Sequence, residues 1–210
     1  MSSPPTSPAP SDTSVPDRTE VPAPPVPELA GRWRLRAMAS PGSGARAAED
    51  LDLVYQWMRT PHVAAFWAQA WTRHRWEQEI DDQLAGAHSR PVLALRDGVP
   101  LAYLEIYRVC RNRLAAHYPF LPHDVGVHLA IGDRAQLGQG LGRELLVALA
   151  TAVLAEEPAC RRVVAEPAVA NVGSVRCFLA AGFRHLGEIT LPDKLAALMV
   201  RPRSEGDLPT

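Results

Sequence analysis

The chain has 210 residues and a formal net charge of −1. This length suits one domain with a sizeable core, and the balanced charge gives no electrostatic reason to expect nucleic acid or an anionic membrane as partner. The three cysteines, Cys110, Cys160 and Cys177, are scattered. Their spacing indicates neither a disulfide framework nor a metal site, so we expect no bound metal. The N-terminus lacks the pattern of a secretory signal, and no apolar run is long enough to span a bilayer. We therefore expect a cytoplasmic protein.

The two ends of the chain differ in composition from its middle. Residues 1–28 are rich in Pro, Ser and Thr and contain few large apolar side chains to offset the entropy of ordering. We predict a disordered tail over 1–28, a single folded domain over 29–203 and a polar tail over 204–210.

Hydrophobic periodicity predicts the elements of the first half. A strand is expected over 33–38, and helices over 47–58 and 75–84. Strands over 91–95 and 101–109 are joined by an Arg-Asp-Gly turn, which is typical of a hairpin.

Two groups of side chains in this half suit a pocket. Phe66, Trp67 and Trp71 lie within six positions and are either core residues or the wall of an aromatic slot for an aliphatic chain. On the strand over 101–109, Glu105 and Tyr107 share one face. That face lines either a polar pocket or solvent.

The central stretch, residues 124–149, has the pattern strand, glycine-rich turn, helix. Alternating apolar residues predict a strand that ends near Gly132. Gly138, Gly140 and Gly142 follow at every second position, and an apolar stripe at helical spacing comes after them. The first amides of a helix have no internal acceptor and favour an anion, so the turn is a candidate phosphate site. A flexible turn before a core helix would have the same pattern.

The last third alternates between strands and helices. We predict a strand over 161–166, a helix over 171–181 that Asn171 caps, and strands over 183–190 and 195–200. Because strands and helices are interspersed along the chain, the fold class is mixed α/β.

Several segments together resemble a known superfamily. LGQGLGRELL, followed by AEPAVANVGSVRCFLAAGF, resembles the acyl-CoA-binding core of the GNAT superfamily of N-acyltransferases. EIYRV, HYPFLPHDVGVHLAIGD, VVAEPAVAN and LPDKLAALMV are similar to its branch that acylates hydroxylamines in hydroxamate siderophore biosynthesis, as in the aerobactin, mycobactin and desferrioxamine pathways. The resemblance covers residues 34–200. It implies a central, mostly antiparallel twisted sheet that is splayed at its central strands and flanked by helices.

The resemblance also implies the reaction and its coenzyme. An acyl group, acetyl or succinyl, would pass from acyl-CoA to an N-hydroxylated diamine or amino-acid side chain. Backbone amides of the central strand and of the glycine-rich turn, with the start of the following helix, would hold the coenzyme. The residues are Leu129, Ala130, Ile131, Gly138, Gln139, Gly140, Leu141, Gly142, Arg143, Asn171 and Ser174.

His128 is the predicted general base. It lies on the polar face of the central strand, and an ordinary imidazole pKa near 6.5 makes the neutral form available at neutral pH. A single strand histidine is more often structural, but the resembling branch has a catalytic His here and an acidic residue at the position of Glu166. We expect Glu166 to orient the imidazole or to take the proton itself. Phe178 stands where many relatives have a Tyr that protonates the leaving thiolate, which leaves Ser174 as a weak candidate.

The expected partner is a small hydroxylamine substrate, and siderophore-pathway enzymes are further candidates. We predict substrate contacts for Phe66, Trp67, Trp71, Glu105, Tyr107, His123 and Asp124. His123 and Asp124 could instead form a loop-capping pair.

Two other functions remain open at this point. Aminoglycoside N-acetyltransferases share the glycine-rich segment, although that branch tends to have an acidic residue where His128 stands. A GNAT-like domain could also bind acyl-CoA without turnover.

Overall fold

A computed structural model describes residues 20–209 and contains one seven-stranded sheet. The strands are β1 (Trp33–Ala37), β2 (Ser89–Arg96), β3 (Val99–Arg108), β4 (Val125–Ile131), β5 (Arg162–Ala165), β6 (Arg184–Leu191) and β7 (Lys194–Pro202). The helices are α1 (Ala45–Met58), α2 (Pro61–Trp67), α3 (Arg73–Ala85), α4 (Leu141–Glu156) and α5 (Val172–Ala180). The strand order is β1-β2-β3-β4-β5-β7-β6, and only β4 and β5 are parallel. The predicted mixed α/β class and mostly antiparallel sheet are confirmed.

Strand β4 carries apolar side chains on both faces because both faces are covered. Val125 and Val127 pack in the cluster that contains Leu145 of α4, whereas Ala130 packs in the cluster that contains Leu51 of α1. Alternation along a strand sends successive side chains to opposite faces, so β4 joins the two layers of the core. Burying each large aliphatic side chain stabilises the fold by roughly 1.5–3 kcal/mol.

The sheet opens between β4 and β5. Strand β4 pairs with β3 along its whole length, from Val125 to Ile131, but with β5 only at Val125 and Gly126. From Val127 onward, the edge of β4 that faces β5 therefore has no paired strand. This is the splay that the resemblance implied, and it leads directly toward the glycine-rich turn before α4.

The predicted disordered tail over 1–28 is wrong at its C-terminal end. Residues 21–28 pack on the domain, and the Val21 side chain is buried. Arg108, whose side chain is 1% exposed, donates hydrogen bonds to the carbonyls of Pro22 (2.8 Å) and Ala23 (3.1 Å). A buried guanidinium thus supplies the donors that this proline-rich segment requires. The rest of the predicted tail, residues 1–19, lies outside the described residues.

The C-terminal segment after β7 is short and also has internal structure. Ser204 and Asp207 form a capping box around one turn of 3₁₀-helix, and Arg162 donates a hydrogen bond to the Asp207 carbonyl. Within residues 20–209, no helix is both long enough and apolar enough to cross a membrane.

Candidate active site

Glu105 and His128 meet across the β3–β4 ladder. They are directly paired in the register, so their side chains leave the sheet on the same face. His128 Nδ1 lies 2.9 Å from Glu105 Oε2. Glu105 is buried, whereas 28% of the His128 side chain is exposed. The Glu105 carboxylate is therefore covered by its neighbours, whereas part of the His128 imidazole is open to solvent.

Glu166 approaches the same imidazole from the other side of the opening. It directly follows β5, is buried, and places Oε1 2.6 Å from His128 Nε2. The Tyr107 hydroxyl donates a 2.6 Å hydrogen bond to the other oxygen of Glu166. Both nitrogens of one imidazole thus face buried carboxylates, one on β3 and one directly after β5.

Aromatic rings hold the imidazole on two sides. The ring centroid of Tyr107 lies 4.7 Å from that of His128, and the ring centroid of Trp67 lies 5.8 Å away in an edge-on arrangement. Tyr107 occupies this position only because its cross-strand partner is Gly126, since a Cβ there would lie 2.0 Å from the phenol ring. The absence of a side chain at Gly126 therefore makes room for the hydrogen bond from Tyr107 to Glu166.

The contacts of this cluster shift the pKa of each member away from its ordinary value. Burial lowers the pKa of His128, but the facing carboxylates, Glu166 first, outweigh burial and raise it from 6.5 to about 9. Burial raises the pKa of Glu166, and the charge and hydrogen bond of His128 overcome this and lower it to about 2. Burial also raises the pKa of Glu105, but the hydrogen bond and the charge of His128 outweigh burial and lower it. The two carboxylates therefore favour the protonated form of the imidazole.

The glycine-rich turn has the geometry of an anion site. Gly140 caps α4 in the left-handed conformation, with a φ of 79°. The first helical hydrogen bond runs from the Glu144 N–H to the Gly140 carbonyl (3.0 Å), so the N–H groups of Leu141, Gly142 and Arg143 have no intrahelical acceptor. The backbone at Gly138 and the exposed Gln139 precede them. This arrangement suits a phosphate group, and the unpaired edge of β4 leads toward it.

The free edge of β4 ends at Ile131. The His62 Nε2 lies 2.9 Å from the carbonyl of Ile131, and the two residues before it, Leu129 and Ala130, belong to the unpaired part of the strand. Trp57, His62 and Gly132 are among the residues that line a cavity of about 360 Å³ beside this strand end. Nothing in the sequence indicated His62, because its contact depends on how α2 packs on β4.

Helix α5 has the predicted cap but no proton donor at Phe178. The Asn171 side chain accepts a 3.1 Å hydrogen bond from the Ser174 backbone N–H. Phe178 is buried and packs edge-on against Phe183, with ring centroids 5.0 Å apart. This position therefore offers no phenol to the leaving thiolate.

The three predicted pocket aromatics are not equivalent. Trp67 contacts both His128 and Tyr103. Trp71 instead stacks on Trp76, with ring centroids 5.2 Å apart, and Phe66 is 42% exposed. Of the three, only Trp67 makes a ring contact with the imidazole.

His123 and Asp124 have structural partners. His123 Nδ1 lies 2.6 Å from Glu157, which also pairs with Arg108. Asp124 is fully buried and accepts hydrogen bonds from the Tyr118 hydroxyl (2.8 Å) and the Leu121 N–H (2.9 Å). Burial raises the pKa of Asp124 to about 6. The expectation of substrate contacts is wrong for Asp124, because its carboxylate is enclosed and accepts the Leu121 N–H, while His123 contacts Glu157 and not Asp124.

Two residues that the sequence analysis did not identify, Gln83 and Tyr103, form hydrogen bonds to Glu105. Gln83 Nε2 donates to Glu105 Oε1 (3.0 Å), and the Tyr103 hydroxyl lies 3.3 Å from the same oxygen. Two signals were present. Tyr103 lies two positions before Glu105 on one strand face, and Gln83 continues the buried stripe of Trp76 and Ile80 on α3. Among residues 20–209, no cluster of three or more His, Cys, Asp or Glu is placed to hold a metal ion.

Comparisons with known proteins agree with this geometry. Residues 46–191 match the acetyltransferase (GNAT) domain. Lysine N-acyltransferase MbtK of Mycolicibacterium paratuberculosis is 37% identical over 187 residues, which are 89% of this chain and 81% of that protein. The N(6)-hydroxylysine O-acetyltransferase of Escherichia coli is 29% identical over 76% of this chain and 50% of that protein.

A solved structure extends the comparison to the coenzyme. The aminoglycoside acetyltransferase AAC(6′)-Ib in complex with coenzyme A is 26% identical, with a TM-score of 0.71 over 81% of this chain and 95% of that one. The resemblance to the superfamily and to its siderophore branch is thus confirmed. The chain belongs to the GNAT acetyltransferase family.

Proposed function

We propose that the protein is an N-acyltransferase that moves an acyl group from acyl-CoA to an N-hydroxylated diamine or amino-acid side chain, which gives a hydroxamate for siderophore biosynthesis. The observation that carries the proposal is the His128 imidazole, held between Glu105 and Glu166 at the opening of the sheet. The lysine N-acyltransferase and hydroxylysine acetyltransferase relatives support the acceptor class. The acyl group would be acetyl or succinyl, and the reaction would take place in the cytoplasm.

The coenzyme would bind along the free edge of β4. The helix N-terminus after Gly140 would hold its diphosphate, with the backbone of 129–131 beside the pantetheine arm. Asn171 and Ser174 at the start of α5 would complete the wall. The thioester would then lie beside His128, and the exposed part of that imidazole supports this placement.

His128 and Glu166 would move the protons of the reaction. A hydroxylamine nitrogen is much less basic than an alkyl amine, so it is already neutral and nucleophilic at neutral pH. It must lose one proton as it attacks, and the sulfur must gain one as it leaves. Trp67 and Tyr107, which flank the imidazole, would border the acyl group and the acceptor.

An aminoglycoside N-acetyltransferase is the second candidate, because the similar AAC(6′)-Ib structure favours it. An aminoglycoside amine is an ammonium ion at neutral pH and must lose a proton before it attacks. The lysine N-acyltransferase relative, at 37% identity against 26% for AAC(6′)-Ib, supports the hydroxylamine acceptor over the aminoglycoside. A domain that only binds acyl-CoA would not require two buried carboxylates around one imidazole.

The direct test is a matrix of acyl donors and acceptors. Acetyl-CoA and succinyl-CoA would be combined with hydroxycadaverine, hydroxylysine, hydroxyornithine, the matching unhydroxylated amines and an aminoglycoside. Thiol release would report turnover, and the iron(III) colour reaction would report hydroxamate. We expect turnover with a hydroxylated acceptor and little with its amine. Preference for the aminoglycoside, or no turnover with any acceptor, would overturn the proposal.

A further inference from the structure

We propose that Lys194 binds a substrate carboxylate at the place where the candidate site reaches the protein surface. This names a specificity residue for the proposed N-acyl transfer and rests on that proposal. A carboxylate could belong to the acceptor, since hydroxylysine and hydroxyornithine carry one and hydroxycadaverine does not. It could also belong to the donor, since succinyl-CoA carries one that acetyl-CoA lacks. The chemistry that Lys194 recognises is the same in both cases.

Lys194 lies on the face of β7 that packs against Tyr107. Alternate residues of a strand share a face, so Lys194 shares one with Leu198 and Val200. Both of these pack in one cluster with Tyr107, whose hydroxyl donates a hydrogen bond to Glu166. The Lys194 side chain therefore leaves the sheet on the same side as the candidate site.

The chain that follows Glu166 runs from the buried site to Lys194. Residues 167–169 pair with residues 195–197 of β7 in antiparallel register, through two backbone hydrogen bonds of 2.9 Å. Continued by one step, this register places Ala170 beside Lys194. Glu166 is buried, Ala170 is exposed and Lys194 is half-buried. Lys194 thus lies at the point where this segment leaves the site and meets solvent.

The positive charge of Lys194 is felt within the site. Burial raises the pKa of Glu166, the charge and hydrogen bond of His128 lower it, and the charge of Lys194 lowers it further. The ammonium is therefore within electrostatic range of the carboxylate that contacts His128. A substrate whose reacting end lies beside His128 could place a second, anionic end at Lys194.

The carboxylates near Lys194 already have partners. Asp193 pairs with Arg113 at 2.8 Å, and Glu166 pairs with His128 at 2.6 Å. Lys194 is the only lysine of the chain, and it forms no salt bridge within the part of the chain that the structure describes. A half-buried ammonium without an ion pair has lost part of its hydration and gained no anion in return. A carboxylate ligand would supply that anion, and the flexible four-carbon stem lets the ammonium reach it.

Lys194→Met tests the assignment, because it removes the charge and keeps a long unbranched side chain. The rate of thiol release would be measured for three pairs: acetyl-CoA with hydroxylysine, acetyl-CoA with hydroxycadaverine, and succinyl-CoA with hydroxycadaverine. If the carboxylate belongs to the acceptor, kcat/KM should fall by about tenfold with hydroxylysine only. If it belongs to the donor, the same fall should appear with succinyl-CoA only. The pair without a carboxylate should change by less than about twofold.

Two further variants separate the role of the charge from other effects. Lys194→Arg keeps a cation at this position and should retain most of the preference for the carboxylate. Arg46→Met removes an exposed positive charge at the start of α1, where Arg46 lies 3.8 Å from Glu49, and is the matched control. It should leave all three rates unchanged.

A binding measurement gives a readout that needs no turnover. Because Lys194 is the only lysine, protein labelled with isotopic lysine has a single lysine side-chain signal in nuclear magnetic resonance spectra. Hydroxylysine should move this signal more than hydroxycadaverine does, or succinyl-CoA should move it more than acetyl-CoA does. The arm that moves the signal should be the arm that loses rate in Lys194→Met.

Three results would overturn the proposal: an equal loss with all three substrate pairs in Lys194→Met, no loss with either carboxylate-bearing pair, or a wild type that acylates only hydroxycadaverine and only with acetyl-CoA. If the wild type acylated no hydroxylamine at all, the proposed function would fail, while the lysine signal would still decide whether Lys194 binds a carboxylate.

Discussion

Two histidines near the start of the central strand, His123 and His128, both contact buried or partly buried carboxylates. At His123 the carboxylate of Glu157 is shared with Arg108, which also fixes the N-terminal segment. At His128 the imidazole lies between the carboxylates of Glu105 and Glu166. The exposed fractions of the two histidines are similar, at 31% and 28%.

The difference shows that a histidine–carboxylate contact alone does not define a catalytic residue. The arginine at the first cluster satisfies the carboxylate, so that cluster holds chain segments together. At the second cluster the imidazole itself must supply the positive charge, and it lies where the sheet opens. We therefore assign structure to the first cluster and proton transfer to the second.

Replacing the two histidines should separate the clusters most clearly. We expect His128→Gln to lower kcat by about 1,000-fold, because the imidazole that serves proton transfer at the opening is lost. His123→Gln should change kcat by less than about twofold. Steady-state thiol release with a hydroxylated acceptor measures both. Equal losses in the two variants would contradict the assignment.

Replacing Glu166 should mainly lower the rate, whereas replacing Glu157 should mainly lower the stability of the fold. Glu166→Gln should lower kcat by about 100-fold, because His128 Nε2 loses the carboxylate that faces it. Glu157→Gln should leave kcat unchanged but lower the free energy of unfolding by about 1–3 kcal/mol, since Arg108 keeps its buried charge without its ion pair. Urea denaturation and initial rates on the same samples test this pair. A stable Glu157→Gln variant with low activity would contradict it.

The glycine-rich turn should affect coenzyme binding and not proton transfer. Gly140→Ala forces a side chain into a left-handed backbone, with a φ of 79°, and should distort the amides of the helix start. We expect the KM for acyl-CoA to rise by about tenfold, with the pH dependence of kcat unchanged. Calorimetry with coenzyme A checks the affinity. Unchanged affinity in a folded variant would argue against a diphosphate at this turn.

The charge of His128 should also appear in the stability of the fold. Its folded pKa of about 9 lies above the ordinary value of 6.5, so its contribution is complete below about pH 6.5 and is lost as pH rises through 9. We expect the free energy of unfolding to fall by about 3 kcal/mol over this range. The fall should be smaller in His128→Gln. Parallel wild-type and variant curves from urea denaturation would contradict the raised pKa.

Local patterns predicted much of the fold. The alternation around His128, the cap at Asn171 and the glycine turn before α4 depend on residues close in sequence, and each is present as expected. The ordered segment over 21–28 was missed because its carbonyls are satisfied by Arg108, more than 80 residues away. A prediction from the composition of residues 1–28 alone cannot take account of that contact.

The sequence named the residues of the candidate site but not the contacts among them. His128, Glu105 and Glu166 lie together in the structure, and the raised pKa of His128 comes from contacts that an expectation for an isolated histidine leaves out. The charge depends on the β3–β4 register, which pairs Glu105 with His128, and on the position of Glu166 after β5. Both are long-range features that a single sequence does not fix.

A structure of the protein with a non-transferable acyl-CoA analogue tests the central claim most directly. If the turn at Gly140 holds the diphosphate and His128 lies beside the thioester, the sulfur should lie within about 4 Å of the imidazole ring, or one water molecule away. A sulfur on the opposite face of β4, or a diphosphate bound away from the start of α4, would contradict the account.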